Sequence, residues 1–147
     1  MPHPQIREQL NHFYAIIKDL DALYSSFARS AGLSDSTFWI LYYLWEETDE
    51  CTQHSICEKW ALSKQTVNNA IKDLERDGLI ELTESTKDKR RKRISFTPKG
   101  VEFCEKHVGR VYRIDQKIFE EMTEEERDSL IRSNAKYLDM LRAAIQT

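Results

Sequence analysis

The stretch from Ser63 to Phe96 most constrains what this chain can fold into. Val67, Ala70, Ile71 and Leu74 recur at steps of three and four, which marks one face of a helix over 64–76. Ser63 stands at its start as a side-chain cap, and Asp77-Gly78 ends it. Leu79–Glu84 then alternates, with Ile80 and Leu82 on one side and Glu81 and Thr83 on the other. Ile94 and Phe96 alternate again, against Arg93 and Ser95. Two short strands are expected. They flank the polar segment Ser85–Lys92, and Lys87–Arg93 places six basic residues in seven positions. Such a cluster repels itself and is costly unless it faces anions. The stretch reads as a capped helix beside a β-ribbon with a cationic tip.

The remaining chain is helical in pattern. Ile6, Leu10, Phe13, Ile17, Leu20, Tyr24 and Phe27 trace an amphipathic helix over 5–29, stopped at Ala31-Gly32. Ser34 caps a second helix to about Glu47. Its run Phe38–Trp45 is apolar all round, so several sides must be covered. Thr52 caps a short helix ending near Trp60, Thr97-Pro98 opens a longer one to about Glu121, and Thr123–Glu126 is a capping box for the last. Only four glycines and three prolines occur in 147 residues, which suits a mostly helical chain and not an α/β enzyme. The expected class is mainly α with a small β-ribbon, and its middle is a winged helix-turn-helix. The longest apolar run is far too short to span a bilayer. The N-terminal MPHPQIREQL shows no basic and then apolar leader. Three cysteines without framework spacing fit a reducing, cytoplasmic setting.

The helix over 64–76 has a second face. It carries Lys64, Gln65, Thr66, Asn68, Asn69, Lys72 and Arg76. Asn and Gln amides can pair bidentately with adenine edges, and Thr can touch a thymine methyl, in a major groove about 12 Å wide. A helix that is merely solvated more often shows Glu/Lys pairs. The net charge of −3 points away from nucleic acid, but it is unevenly spread. Residues 59–99 hold 11 Lys/Arg against 6 Asp/Glu, a local +5, and the remainder holds 11 against 19, or −8. The basic footprint is local, which is what docking one face onto double-stranded DNA requires.

Thr52–Gly100 resembles the MarR (multiple antibiotic resistance regulator) family of bacterial transcription factors. The matching text is TQHSICEKW, then LSKQTVNNAIKDLERDGLIEL, then DKRRKRISFTPKG. The family's Asp-x-Arg wing signature is met by Asp88-Lys89-Arg90, and its Thr-x-x-Gly helix start by Thr97 to Gly100. Trp60 stands where an aliphatic residue is more usual, and Cys57 where a small one is; both keep their positions apolar. The resemblance implies one domain over 1–147, with dimerisation helices at 5–33 and 100–147 around a DNA-binding lobe at 34–99. It implies a homodimer on a pseudo-palindromic operator, more often a repressor. The apolar stripes at both chain ends have no other core to fill and suit a self-complementary interface. Recognition is then expected from Gln65, Asn68, Asn69 and Lys72, with Thr66 beside them on the DNA-binding face, and anchoring from Lys64, Lys89, Arg90, Arg91 and Arg93. The family analogy makes Asp88 the residue that orients an arginine, and Arg90 the contact to minor groove or phosphate. Narrow minor grooves favour arginine. It also implies a small aromatic or anionic effector, with Arg7, Tyr14, Trp39 and Tyr43 as candidate lining; the same aromatics equally suit a core.

Other chemistry finds less support. Cys51-x-x-His54-x-x-Cys57 has metal-like spacing, but Cys51 precedes the helix cap and only two of the three converge. Cys104 and His107 lack a third ligand. Redox sensing in the family uses a cysteine near the start of the first helix, where this chain has none. No cofactor, metal or catalytic constellation is expected, and no enzyme. The competing readings are a winged-helix module that binds proteins and not an operator, or a metal- or redox-responsive regulator. The protein-binding module would bind no duplex even at about 50 mM salt.

Overall fold

The computed structural model describes residues 3–47 and 49–146; Met1, Pro2, Thr48 and Thr147, which the expected 1–147 domain includes, lie outside them. Six helices and three short strands follow in the order α1 (Pro4–Ser30), α2 (Asp35–Glu46), β1 (Cys51–Thr52), α3 (Gln53–Trp60), α4 (Lys64–Arg76), β2 (Ile80–Glu84), β3 (Lys92–Phe96), α5 (Pro98–Glu121) and α6 (Glu124–Ile145). Two compact units result, one up to Val111 and one from Tyr112.

The first unit is built around α2. Phe38, Ile40, Leu41, Tyr42, Tyr43 and Leu44 are all buried there, as its all-round apolar run requires. Gly32, at φ +72°, closes α1 while Leu33 N–H donates to the Ala28 carbonyl at 2.9 Å. That left-handed turn lets the chain double back, so that α1 packs on α2. The Ser34 hydroxyl accepts the Thr37 N–H at 3.2 Å and starts α2. Val67, Ala70, Ile71 and Leu74 are the buried residues of α4, the stripe the spacing predicts. The same left-handed turn recurs at Gly78, φ +73°, with Leu79 N–H donating to the Leu74 carbonyl at 3.0 Å.

The ribbon is part of a three-stranded antiparallel sheet ordered β1-β3-β2. β2 and β3 pair from Ile80↔Phe96 to Glu84↔Lys92. β1 adds Cys51↔Ile94 and Thr52↔Arg93 on the other edge of β3. This third strand was not expected from the sequence: two residues are too short to show any alternation. Thr97 then ties the ribbon to α5. Its hydroxyl donates to the Gly78 carbonyl at 2.6 Å and accepts the Gly100 N–H at 3.0 Å. A Cβ at Gly100 would lie 1.8 Å from the Leu79 carbonyl oxygen, so only glycine lets α5 approach this closely. Thr-x-x-Gly is thus a structural clamp.

The second unit holds the end of α5 and all of α6. The Thr123 hydroxyl accepts the Glu126 N–H at 3.1 Å, and the Glu126 carboxylate accepts the Thr123 N–H at 2.8 Å, a complete capping box. Arg127 donates to the Phe119 carbonyl at 2.8 Å and seals the α5 end. α6 has no buried residue in the single chain. Among the described residues no helix is long and apolar enough to cross a membrane.

Candidate nucleic-acid interface

Ser63 sets the start of α4. Its hydroxyl oxygen accepts the Thr66 N–H at 3.1 Å and its proton goes to Thr66 Oγ1 at 2.8 Å. Thr66 is therefore engaged in the cap, half-buried, and less available than its neighbours to read a base. Opposite the buried stripe, Lys64, Gln65, Asn69 and Lys72 are exposed and Asn68 is half-buried. Lys64, Asn68 and Lys72 stand four apart and form one ridge.

The tip of the ribbon is organised by Asp88. Its carboxylate accepts three hydrogen bonds from Arg90: from the backbone N–H at 3.0 Å, and from Nε and Nη2 at 3.1 Å each. Arg91 Nε stands 3.6 Å from the same group. These side-chain and backbone bonds from Arg90 hold the Asp88 carboxyl below its ordinary range and raise the guanidinium of Arg90. Arg90 remains 88% exposed. An ion pair so open to water adds little stability. What the fork fixes is direction: an arginine held in one pose and still facing solvent.

The helix and the tip meet across a cleft of about 640 Å³. Lys64 and Asn68 line it from α4, His54 and Cys57 from α3, and Arg90 and Arg91 from the tip. Lys92 lines it too, which sequence reasoning passed over. Arg93 does not; it borders a smaller depression of about 190 Å³ with Asp49 and Glu50. Strand alternation explains both facts, since consecutive residues of β3 face opposite ways. Gln65, Thr66, Asn69, Lys72 and Lys89 lie outside the cleft lining.

Two further residues sit at the base of the tip, Glu50 and Ser85. The Glu50 carboxylate accepts the Ser85 hydroxyl at 3.0 Å and the Thr86 N–H at 2.8 Å. The Ser85 oxygen in turn accepts the Lys87 and Asp88 N–H groups at 3.2 and 3.1 Å. No sequence signal marks a pairing across 35 positions.

The four candidate effector residues are not gathered within one chain. Tyr43 is 6% exposed, and burial raises its pKa. Trp39 stacks on Trp60 at 5.4 Å and touches Tyr24 at 5.0 Å. Tyr14 lies ten positions before Tyr24 on α1, about 15 Å along the axis, and Arg7 about 25 Å. Tyr14 instead borders an open depression with Asn11 and Lys18. Among the cysteines, burial pushes the Cys51 thiol up to about 11 and the Cys104 thiol to about 12. His54 Nε2 lies 3.0 Å from Glu58, and no group of three His, Cys, Asp or Glu among the described residues is placed to hold a metal ion.

A family model described as the MarR family matches residues 31–91, which span α2 to the tip of the ribbon. That match covers the winged-helix segment. The chain also shares the MarR fold along its length. A MarR family regulator from Neisseria meningitidis is 26% identical and superposes with a TM-score of 0.76, covering 94% of this chain and 96% of that one. S. aureus MepR in a DNA complex is 24% identical, with a TM-score of 0.68 over 90% and 97% of the two chains. The MarR transcription regulator of Oenococcus oeni PSU-1 is 17% identical, with a TM-score of 0.71 over 88% and 98%. The latter two speak for fold alone. No curated protein matches.

Proposed function

We propose that this chain is a sequence-specific double-stranded DNA-binding transcription regulator, acting as a homodimer on a pseudo-palindromic operator and repressing from the cytoplasm. MarR family proteins are transcription regulators and not enzymes, and MepR is seen bound to DNA. The carrying observation is that Lys64 and Asn68 of α4 and Arg90 and Arg91 of the tip border one cleft. α4 enters the major groove, where Gln65, Asn68, Asn69 and Lys72 read bases, beside Thr66 at the cap. Lys64, Lys89, Arg90 and Arg91 anchor the backbone or adjacent minor groove, with Arg93 on the far side of the ribbon. Asp88 orients Arg90.

The dimer rests on unburied apolar surface. Ile6, Leu10, Leu20 and Leu23 are exposed on α1, and Leu130, Ile131, Leu138, Leu141 and Ile145 on α6. Residues 5–33 and 100–147 are assigned to dimerisation and 34–99 to DNA. A small aromatic or anionic effector would act by binding one conformation more tightly than the other. Arg7, Tyr14, Trp39 and Tyr43 could line one site only if a second chain brings them together.

Selecting bound duplexes from a random library tests the assignment: an inverted repeat with half-sites about one helical turn apart is the expected consensus. Enrichment of no sequence overturns specific recognition. Sedimentation equilibrium tests the dimer, for which the expected mass is twice 17.4 kDa.

A further inference from the structure

We propose that Glu50 is a positioning residue for the wing, acting through Ser85 and Asp88 to hold Arg90 in its DNA-facing pose. The inference rests on the DNA-binding reading above.

The connection is continuous. Glu50 precedes β1, which is hydrogen-bonded to β3 through the Cys51↔Ile94 pair. Its carboxylate accepts the Ser85 hydroxyl, the Thr86 N–H and, at 3.4 Å, the Thr86 hydroxyl. Ser85 is 4% exposed, and its oxygen accepts the N–H groups of Lys87 and Asp88. Asp88 then takes the Arg90 N–H and both prongs of its guanidinium. Each step satisfies a group that the previous one orients. Ser85 has one proton and spends it on Glu50, which fixes its lone pairs toward the two N–H donors. Without the carboxylate the hydroxyl is free to turn, and the backbone bonds left within 85–91 are Ser85 N–H to the Arg91 carbonyl at 3.3 Å, across the neck, and Arg91 N–H to the Asp88 carbonyl at 3.0 Å, neither of which fixes the tip against β1.

The charge of Glu50 sits awkwardly for any other role. It is an acid placed against a strongly cationic loop, near the surface assigned to DNA. The Thr86 N–H, then Ser85 and Thr86 hydroxyls, hold its carboxyl below the ordinary range, so it stays ionised. Simple electrostatics says that removing an anion beside a DNA-binding loop strengthens binding. A positioning role says the reverse, because the wing arginine must then be ordered during binding.

The test uses the full chain and a fluorescent 30-base-pair duplex of mixed sequence at about 50 mM salt, where nonspecific binding is strong. Glu50→Ala and Glu50→Gln remove the same charge. Glutamine keeps an acceptor for the Thr86 N–H and supplies none for the Ser85 proton. Glu50→Ala is expected to bind about fivefold more weakly than wild type, the loss of roughly one net hydrogen bond's worth of preorganisation, with Glu50→Gln in between. The Lys87, Asp88 and Arg90 amides should also exchange with solvent faster in Glu50→Ala while the amides of α4 do not. If Glu50→Ala fails to fold, as circular dichroism would show, Glu50→Gln carries the test against wild type. Variants binding as tightly as wild type, or tighter, overturn the positioning role and leave the DNA reading intact. Wild type that binds no duplex overturns both.

Discussion

The middle of this chain completes its own interior and the C-terminal helix does not. Phe38, Ile40, Leu41, Ile56 and Val67 are at most 1% exposed, all in the first unit. α6 buries nothing, although Leu138 and Leu141 stand on it at helical spacing and are 44% and 46% exposed. Both regions are amphipathic. What differs is that the apolar stripe of α4 meets α2 and α3 within the chain, whereas that of α6 is an unfinished surface. The charge follows the same division, basic in 59–99 and acidic elsewhere. A helix that leaves its apolar stripe uncovered suits contact with a second protein chain.

The largest effects should separate these two kinds of apolar surface. Phe38→Ala empties a fully covered site and should cost about 3–5 kcal/mol of stability in urea denaturation, whatever the protein concentration. Leu138→Glu should leave the first unit's core untouched. It should instead weaken the dimer, so that the denaturation midpoint loses the concentration dependence expected of wild type and sedimentation shifts toward monomer. If Leu138→Glu destabilised the protein at every concentration alike and left its mass unchanged, the distinction between the two surfaces would collapse.

Within the DNA face, helix and wing should fail differently. Asn68→Ala or Gln65→Ala should cost roughly 1–3 kcal/mol on a selected duplex, and the loss should vanish when the contacted base pair is changed. Arg90→Ala should weaken all duplexes and reduce the slope of log affinity against log salt by about 0.9. Equal losses on every sequence for Asn68→Ala would remove it from base reading. An unchanged salt slope for Arg90→Ala would take that side chain off the phosphates.

What the sequence made legible was what repeats locally. The stripe of α4, its Ser63 cap, the Gly32 and Gly78 turns and the Thr123 capping box are each written within four or five residues. The wing fork is equally local, two positions from Asp88 to Arg90. Contacts between distant positions were not legible. Glu50 meets Ser85, Trp39 meets Trp60, and β1 pairs with β3, and none has a periodic trace. The facing of Arg93 was legible in principle: grouping it with Arg90 and Arg91 by charge overlooked the strand alternation that separates it from Lys92.

The smallest expected effects come from the cysteines, and they sharpen the same contrast between filled interior and working surface. Cys51 and Cys104 are buried, with thiols raised to about 11 and about 12. A raised folded pKa favours the protonated thiol in the native state. Its contribution is fully present below the unfolded value near 9 and is lost as pH climbs through the folded value. Stability should therefore decline between about pH 9 and 11, and Cys104→Val should flatten part of that decline. Cys57 is half-buried and lines the cleft between α4 and the wing. At neutral pH a thiol-labelling reagent should reach Cys57 first and the other two only as fast as the first unit opens. A bound duplex covering the cleft should then slow Cys57 and leave Cys51 and Cys104 to the rate of opening. Labelling of Cys57 that ignores saturating duplex would mean that DNA does not sit over the cleft, and the interface would have to be sought on another face.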